Sequence, residues 1–199
     1  MVIGFCGGTG SGKSTLVEYA TDLLGKKNTL VIAQDHYYKH LPELSFKERC
    51  KINFDHPDSL DLNLLTQHIT KLKKGKNITR PVYSFKEHLR LNETVNYSPN
   101  KYILVEGILV FTSKPLCDLF DYKVYIETNK ENRVKRRIAR DTLTRGRTIN
   151  EVKERFENTL HKMHSLFIEP KKNIADIIII NNRLNQAKSD MQRFIKNIK

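Results

Sequence analysis

Residues 7–14 read Gly-Gly-Thr-Gly-Ser-Gly-Lys-Ser, and this stretch decides the fold. It matches the pattern G-x-x-x-x-G-K-[ST] and lies between an apolar run, residues 1–6, and a helical pattern, residues 14–24. Glycines let several backbone amides turn toward one point, and the N-terminus of the following helix adds partial positive charge. A glycine-rich turn without a ligand is the alternative. The pattern favours a nucleotide-binding phosphate loop made of Gly7, Gly8, Thr9, Gly10, Ser11, Gly12, Lys13, Ser14 and Thr15.

Apolar, β-branched runs alternate with helical patterns along the chain. The strand-like runs are residues 1–6, 29–33, 102–105, 123–126 and 176–180. The helical patterns are residues 14–24, 61–73, 130–141, 151–167 and 185–198, and Asp61 and Asn150 are predicted to cap two of them. The alternation predicts an α/β fold of the P-loop NTPase type, with three α/β/α layers and a parallel five-stranded sheet.

Two segments stand apart from this alternation. Residues 78–83 and 93–97 resemble short strands around polar residues 84–92, which predicts a β-hairpin insert over about residues 78–97. Arginines are dense around residues 140–150, and we expect a lid there. Because no linker or repeat divides the chain, a single domain over residues 1–199 is expected.

Charge is the unusual feature of the composition. The 199 residues carry a formal net charge of +13, which implies an anionic partner: nucleic acid, phosphorylated metabolites or anionic membrane. The apolar run 177–180 is far shorter than the roughly 20 residues that cross a bilayer. Three cysteines without CxxC spacing indicate neither a disulfide framework nor a zinc site. With no signal-peptide pattern at residues 1–6, a cytoplasmic location is expected.

Two acidic residues follow predicted strands. Glu106 ends an apolar run, where it and the Ser14 hydroxyl would face the phosphate loop and hold Mg²⁺. Asp35 follows the second run, where it would accept a proton from an attacking hydroxyl. A solvent-facing Glu106 and a helix-capping Asp35 are the alternatives. Lys13 is expected to contact the β- and γ-phosphates.

The stretches 53–57 and 81–90 alternate aromatic side chains with groups that form hydrogen bonds. Tyr83 and Phe85 would sandwich a planar base, His88 would contact its edge, and Asp55 would accept two sugar hydroxyls. Simple cross-strand packing of the rings is the alternative. Seven cations lie within residues 133–147, where guanidinium groups would clamp a transferring phosphoryl group; a solvated basic face or an RNA contact is the alternative.

Taken in order, the motifs resemble the uridine kinase family. They are GGTGSGKS (7–14), QDHYY (34–38), NFDHPDS.D (53–61), PVYSF.EH.R (81–90), VEGIL (105–109) and RRI.RD...RGR (136–147). The resemblance implies transfer of the γ-phosphate of ATP or GTP to the 5′-hydroxyl of uridine or cytidine, in pyrimidine salvage, by a homotetramer with Mg²⁺. Nucleic acid and membrane are not expected as partners.

The resemblance also implies residue roles. Asp35 is the expected general base, and Asp55 the expected ligand of the ribose diol. The resemblance assigns the base pocket to Tyr38, Tyr83, Phe85 and His88, the metal site to Ser14 and Glu106, and the phosphate-binding region and lid to Arg137, Arg140, Arg145 and Arg147.

Two departures from the family pattern leave details open. Arg155-Phe156 stands where family members often have Gln-Tyr, and Ile180-Asn181-Asn182 stands where they often have Pro-Arg-Gly. Because residues 180–182 lie near where the donor base is expected, ATP and GTP both stay as candidate donors. A phosphoribulokinase-like enzyme with another small hydroxyl acceptor and an RNA-binding P-loop ATPase are the alternative functions.

Overall fold

A computed structural model describes residues 1–144 and 146–199, so Arg145 of the predicted lid lies outside the described residues. A five-stranded sheet forms the centre of the molecule, in the order β2-β5-β1-β6-β7, and every pairing in it is parallel. A separate antiparallel pair, β3 and β4, forms a hairpin. The strands are β1 Val2–Cys6, β2 Thr29–Ala33, β3 Ile78–Ser84, β4 Leu89–Tyr97, β5 Tyr102–Glu106, β6 Tyr122–Glu127 and β7 Ile177–Ile180.

Helices connect the strands and cover both faces of the sheet. They are α1 Lys13–Leu24, α2 Phe46–Arg49, α3 Leu62–Lys73, α4 Lys114–Cys117, α5 Lys130–Thr144, α6 Ile149–Arg155, α7 His161–Met163 and α8 Leu184–Ile198. Two π-helical turns flank α7, at Phe156–Leu160 and His164–Ile168. The predicted helix at residues 151–167 is therefore a continuous helical segment in which two turns are widened.

The two sides of the sheet bury separate hydrophobic clusters. Alternation within β1 shows the division, because Val2 and Cys6 pack into one cluster whereas Ile3 and Phe5 pack into the other. The first cluster includes α3 and α4, and the second includes α1 and α8. The three-layer α/β/α fold and the parallel five-stranded sheet predicted from the sequence are confirmed.

The cap of α6 corrects the sequence prediction. Asn150 does not cap the helix; the capping residue is Thr148, whose Oγ1 accepts a hydrogen bond from the Glu151 amide at 3.3 Å. The Glu151 carboxylate in turn accepts from the Thr148 amide at 2.7 Å. This reciprocal capping box satisfies two groups and begins the helix at Ile149. Asp61 caps α3 as predicted, by accepting from the Leu64 amide.

The hairpin insert is present, but its second strand is longer than predicted. Pairing of Tyr83 with Arg90 and of Ser84 with Leu89 leaves only residues 85–88 for the turn. The polar face of β4 is exposed, so the amino-acid composition of this strand resembles that of a loop. Arg90 attaches the hairpin to the body of the protein: its Nε donates to the Tyr38 carbonyl at 2.7 Å, and its Nη2 lies 3.3 Å from Asp61 Oδ2.

In the part of the chain that the structure describes, no helix has both the length and the apolar character required to cross a membrane.

Candidate active site

A cavity of about 640 Å³ opens at the carboxyl edge of the sheet. The phosphate loop, the ends of β2 and β5, residues 54–55, the hairpin and the arginines of α5 and α6 surround it. Most residues predicted for the site line this one cavity: Thr9, Gly10, Lys13, Ser14, Asp35, Tyr38, Asp55, Tyr83, Phe85, His88, Glu106, Arg137, Arg140 and Arg147.

The phosphate loop connects β1 to α1 and carries Lys13 at its end. The loop needs glycine at position 10, where φ is +75° and a Cβ atom would lie 2.3 Å from the Arg133 carbonyl oxygen. Lys13 is buried, and its Nζ donates to the Gly8 carbonyl at 3.2 Å. Burial lowers the Lys13 pKa, while the charges of Glu106 and Asp35 oppose that shift. Thr15 is exposed and does not line the cavity.

Ser14 and Glu106 meet at the same edge. The Ser14 hydroxyl donates to Glu106 Oε2 at 3.0 Å. Burial raises the Glu106 pKa, and the charge of Lys13 and the Ser14 hydrogen bond act in the opposite direction. A hydroxyl and a carboxylate are hard oxygen donors suited to Mg²⁺. Because no group of three His, Cys, Asp or Glu side chains forms among residues 1–144 and 146–199, a metal here would take its other ligands from nucleotide and water.

Gln34 is a residue of this edge that sequence reasoning missed. It is fully buried, and its Oε1 accepts a hydrogen bond from the Leu109 amide at 2.9 Å. Its side chain occupies the space above Gly107, where a Cβ atom would lie 2.1 Å from Oε1. Gln34 thereby joins the turn after β2 to the turn after β5, and so fixes Asp35 relative to Glu106. The only sequence signal was the pairing of a polar residue after one strand with a glycine after its neighbour.

Aromatic rings surround the other end of the cavity. Tyr38 contacts Phe54 edge-on at 5.2 Å and Tyr83 at 5.1 Å between ring centroids. The His88 ring stacks on Phe54 at 4.9 Å with an interplanar angle of 17°. His88 lies in the hairpin turn with φ of 51°, a left-handed conformation that presents its ring to Phe54. The rings therefore do pack on one another, yet they also form one wall of the cavity.

Asp55 lies among these rings and is 8% exposed. Its backbone amide donates a hydrogen bond to Asn53 Oδ1 at 3.1 Å. Asp55 lines the cavity together with Tyr38 and Tyr83. A buried carboxylate in an aromatic pocket is a group that can accept hydrogen bonds from sugar hydroxyls.

Asp141 gathers the arginines on the lid side of the cavity. It is fully buried on α5, and its carboxylate oxygens lie 3.3 Å from Arg137 Nε, 2.8 Å from Arg140 Nη2 and 3.9 Å from Arg147 Nη1. Arg137 also donates through Nη1 to Thr9 Oγ1 at 2.5 Å, which ties the helix to the phosphate loop. One acid thus orients several cations toward one point.

Comparison with known proteins identifies the family. The family model described as "Phosphoribulokinase / Uridine kinase family" matches residues 2–188. The chain belongs to this family. A uridine kinase of Clostridium novyi (strain NT) is 42% identical over 191 residues, which cover 96% of this chain and 92% of that protein. A uridine kinase of Clostridium tetani (strain Massachusetts / E88) is 41% identical, covering 100% of this chain and 94% of that protein.

A solved structure supports the fold of this phosphoribulokinase/uridine kinase family member. Phosphoribulokinase from Rhodobacter spheroides superposes with a TM-score of 0.64 at 14% identity, covering 90% of this chain and 69% of that one. At such low identity the likeness bears on the fold alone.

Both departures from the family pattern now have a place in the structure. Arg155 lines the cavity, whereas Phe156 is buried below the Arg133 guanidinium. Asn181 is fully buried and does not line the cavity; its Nδ2 donates to the Ser11 carbonyl at 2.7 Å. Asn181 therefore braces the phosphate loop from behind. Arg155 and Lys86 are cavity residues that the sequence motifs did not single out.

Proposed function

We propose that this chain is a pyrimidine ribonucleoside kinase, which transfers the γ-phosphate of ATP or GTP to the 5′-hydroxyl of uridine or cytidine and gives UMP or CMP. One observation carries the proposal: a single cavity joins the phosphate loop at one end to the aromatic wall with Asp55 at the other. Relatives named uridine kinase, about 40% identical over the length of the chain, support it.

At the donor end, loop amides of residues 7–14 and the Lys13 ammonium bind the polyphosphate. Such a site works by position and charge, because the transferring phosphoryl group passes through a loose transition state. Ser14 and Glu106 would hold Mg²⁺, which neutralises phosphate charge when bound. The buried environment of Lys13 strengthens its attraction to phosphate, because little water screens it.

At the acceptor end, Asp55 accepts the two ribose hydroxyls, and Tyr38, Tyr83, Phe85 and His88 surround the base. Asp35 lies between the two ends and takes the proton of the 5′-hydroxyl as the new bond to phosphorus forms. The negative charge of Asp35 raises the pKa of both Lys13 and Glu106, and all three residues line the cavity.

On the lid side, Arg137, Arg140 and Arg147 stabilise the oxygens of the transferring phosphoryl group, and Arg145 is proposed to act with them. Asp141 holds the guanidinium groups of Arg137 and Arg140 at the cavity and lowers their mutual repulsion. Part of the net charge of +13 then serves a small triphosphate, the remainder is solvated surface, and nucleic acid and membrane are not partners. A single kinase domain, a cytoplasmic location and a homotetramer belong to the same proposal.

The decisive assay crosses four nucleoside triphosphates with uridine, cytidine and a buffer blank. We expect Mg²⁺-dependent formation of UMP and CMP with ATP or GTP, without stimulation by RNA. Ribulose 5-phosphate and single-stranded RNA serve as further arms. Phosphorylation of ribulose 5-phosphate alone would indicate a phosphoribulokinase-like enzyme, and RNA-stimulated hydrolysis would indicate an RNA-binding ATPase.

The proposed role of Asp55 predicts a selective loss of acceptor binding. In Asp55→Ala, we expect the KM for uridine to rise about 30-fold, because two hydrogen bonds to a buried charged group are lost. The KM for ATP should stay within about twofold, because Asp55 lies at the acceptor end. Asp58→Ala is the matched control, since that side chain is 88% exposed. An equal rise of the KM for uridine and the KM for ATP would contradict a contact between Asp55 and the ribose.

His88 predicts a pH dependence that separates the two acceptors. Burial, together with the charges of Arg147 and Arg155, lowers the His88 pKa, so the ring is neutral at pH 7. A neutral imidazole nitrogen can accept from the amino group of cytosine, whereas the protonated ring can only donate, as to the O4 oxygen of uracil. We therefore expect the ratio of kcat/KM for cytidine to that for uridine to fall as the pH drops below about 6.5.

The ratio removes effects common to both acceptors, such as titration of Asp35 or of the donor phosphates. It should be constant above neutral pH, and Arg155→Gln should move its fall to higher pH by removing one positive charge. A ratio independent of pH from 8 to 5 would exclude His88 from reading the base.

A further inference from the structure

Arg133 lies directly behind the phosphate loop. It belongs to the first turn of α5 and is only 4% exposed. Its guanidinium approaches Gly8 so closely that a Cβ atom there would lie 2.5 Å from Nη1. Its backbone packs on Gly10, where a Cβ atom would lie 2.3 Å from the Arg133 carbonyl oxygen. One residue thus contacts two turns of the loop.

Among the described residues, no carboxylate forms an ion pair with Arg133. Its Nε and Nη1 lack hydrogen-bond partners within residues 1–144 and 146–199. Glu169 favours the charged form of Arg133, but its side chain is exposed and forms no ion pair with the guanidinium in that part of the chain. The face of the guanidinium rests on the Phe156 ring, 5.6 Å from its centroid. A buried cation without a partner normally destabilises a fold.

Its other neighbour at Gly8, His164, adds no compensating charge. His164 is 9% exposed, and its Nδ1 would lie 3.0 Å from a Cβ atom at Gly8. Burial, helped by the charge of Arg133, lowers the His164 pKa to about 3, so the ring is neutral. The pocket behind Gly8 therefore holds one positive charge and no negative charge among its described neighbours.

The neighbouring arginines of α5 differ in this respect. Arg136 donates to the Ser11 carbonyl at 3.2 Å and to the Asn181 carbonyl at 2.9 Å. Arg137 donates to Thr9 and pairs with Asp141. Both guanidinium groups therefore have polar partners within the protein. The Arg133 guanidinium has none at Nε and Nη1 among the described residues, and it faces the back of a loop whose front binds phosphate.

We propose that Arg133 is a positioning residue of the donor site, whose buried guanidinium supports Gly8 and Gly10 and attracts the polyphosphate through the loop. The inference rests on the proposed function, because it takes a nucleoside triphosphate as the anion. A charge held in a water-poor environment acts over a longer distance than an exposed one. The benefit should therefore grow with the number of phosphate charges.

Two variants test this. Arg133→Met keeps an apolar stem and removes the charge, and Arg133→Lys keeps the charge. Calorimetric titration without acceptor measures the binding of ATP, ADP and AMP. In Arg133→Met, we expect ATP binding to weaken about tenfold, ADP binding to weaken less, and AMP binding to weaken least. Arg133→Lys should regain most of the ATP affinity. Arg193→Met is the control, because that arginine is 74% exposed.

The Tm of thermal unfolding without ligand separates the proposed role from a packing role. The proposed role predicts a higher Tm for Arg133→Met, and a packing role predicts a lower one. Removal of an unpaired buried charge should raise the Tm of Arg133→Met by about 2–4 °C. A lower Tm or an unfolded variant would overturn the inference, since the guanidinium would then serve packing. Unchanged ATP binding, or equal weakening of all three nucleotides, would overturn it as well.

Different results would overturn the proposed function and the role of Arg133. A wild-type protein that binds ATP but does not phosphorylate uridine or cytidine would overturn the proposed function and leave the Arg133 measurements interpretable. Normal uridine phosphorylation with charge-independent effects of Arg133→Met would overturn only the inference.

Discussion

Asp35→Asn should lower kcat for uridine phosphorylation about 10³-fold. Asparagine keeps the size of the side chain and its hydrogen bonding to the 5′-hydroxyl, but its amide cannot take the proton. Asp35 follows β2 and lines the cavity together with Lys13 and Glu106. Donor binding should survive, because the phosphate loop is unchanged, and the KM for ATP should stay within about twofold.

Steady-state kinetics with saturating ATP measure this effect, and calorimetry with ATP alone measures donor binding. Asp118→Asn is the control, because Asp118 forms an exposed pair with Lys114 far from the cavity. A kcat within threefold of wild type would remove Asp35 from its proposed role. A loss of ATP binding would instead assign Asp35 to the donor site.

Lys13→Met should lower kcat/KM for ATP about 10³-fold, because an ammonium group preorganised at the phosphates is lost. The Lys13 side chain is buried, and its Nζ is held by the Gly8 carbonyl. Burial lowers the Lys13 pKa, which means that the charged ammonium is already partly desolvated in the protein before the donor binds. Methionine has nearly the same length and carries no charge that must be desolvated.

We therefore expect Lys13→Met to remain folded, with an unfolding midpoint no lower than that of the wild type. Uridine binding, measured by calorimetry without nucleotide, should be unchanged, because the aromatic wall and Asp55 are separate from Lys13 in the cavity lining. Lys26→Met is the matched control, since the Lys26 side chain is 80% exposed. Full activity of Lys13→Met would contradict the proposed donor site.

The sheet was predictable because its strands carry local signals. Apolar runs of four to six residues separated by helical periodicity indicate parallel strands, and all five predicted strands are present within one or two residues. The phosphate loop was predictable for a similar reason, since glycine and lysine spacing is a property of adjacent residues. By contrast, β4 was predicted too short, because its exposed polar face resembles a loop in composition.

The candidate site was only partly predictable. The motifs named most of the residues that line the cavity, including Asp35, Asp55 and Glu106. They included Gln34 but gave it no role, because that role depends on the space that Gly107 leaves for its side chain on the neighbouring strand. Nor did they separate Arg155, which lines the cavity, from Arg136, which braces the loop.

The sequence by itself thus determined the strand and helix order, the phosphate loop and the residue types of the site, because each of these follows from spacing along the chain. Only the tertiary structure decided which arginines face the cavity, which one is buried with guanidinium nitrogens that lack hydrogen-bond partners among the described residues, and which residue caps α6. Burial and pairing depend on contacts between residues far apart in sequence, such as Gly8 with Arg133 and His164. No local sequence pattern encodes those distances, and the role proposed for Arg133 depends on them.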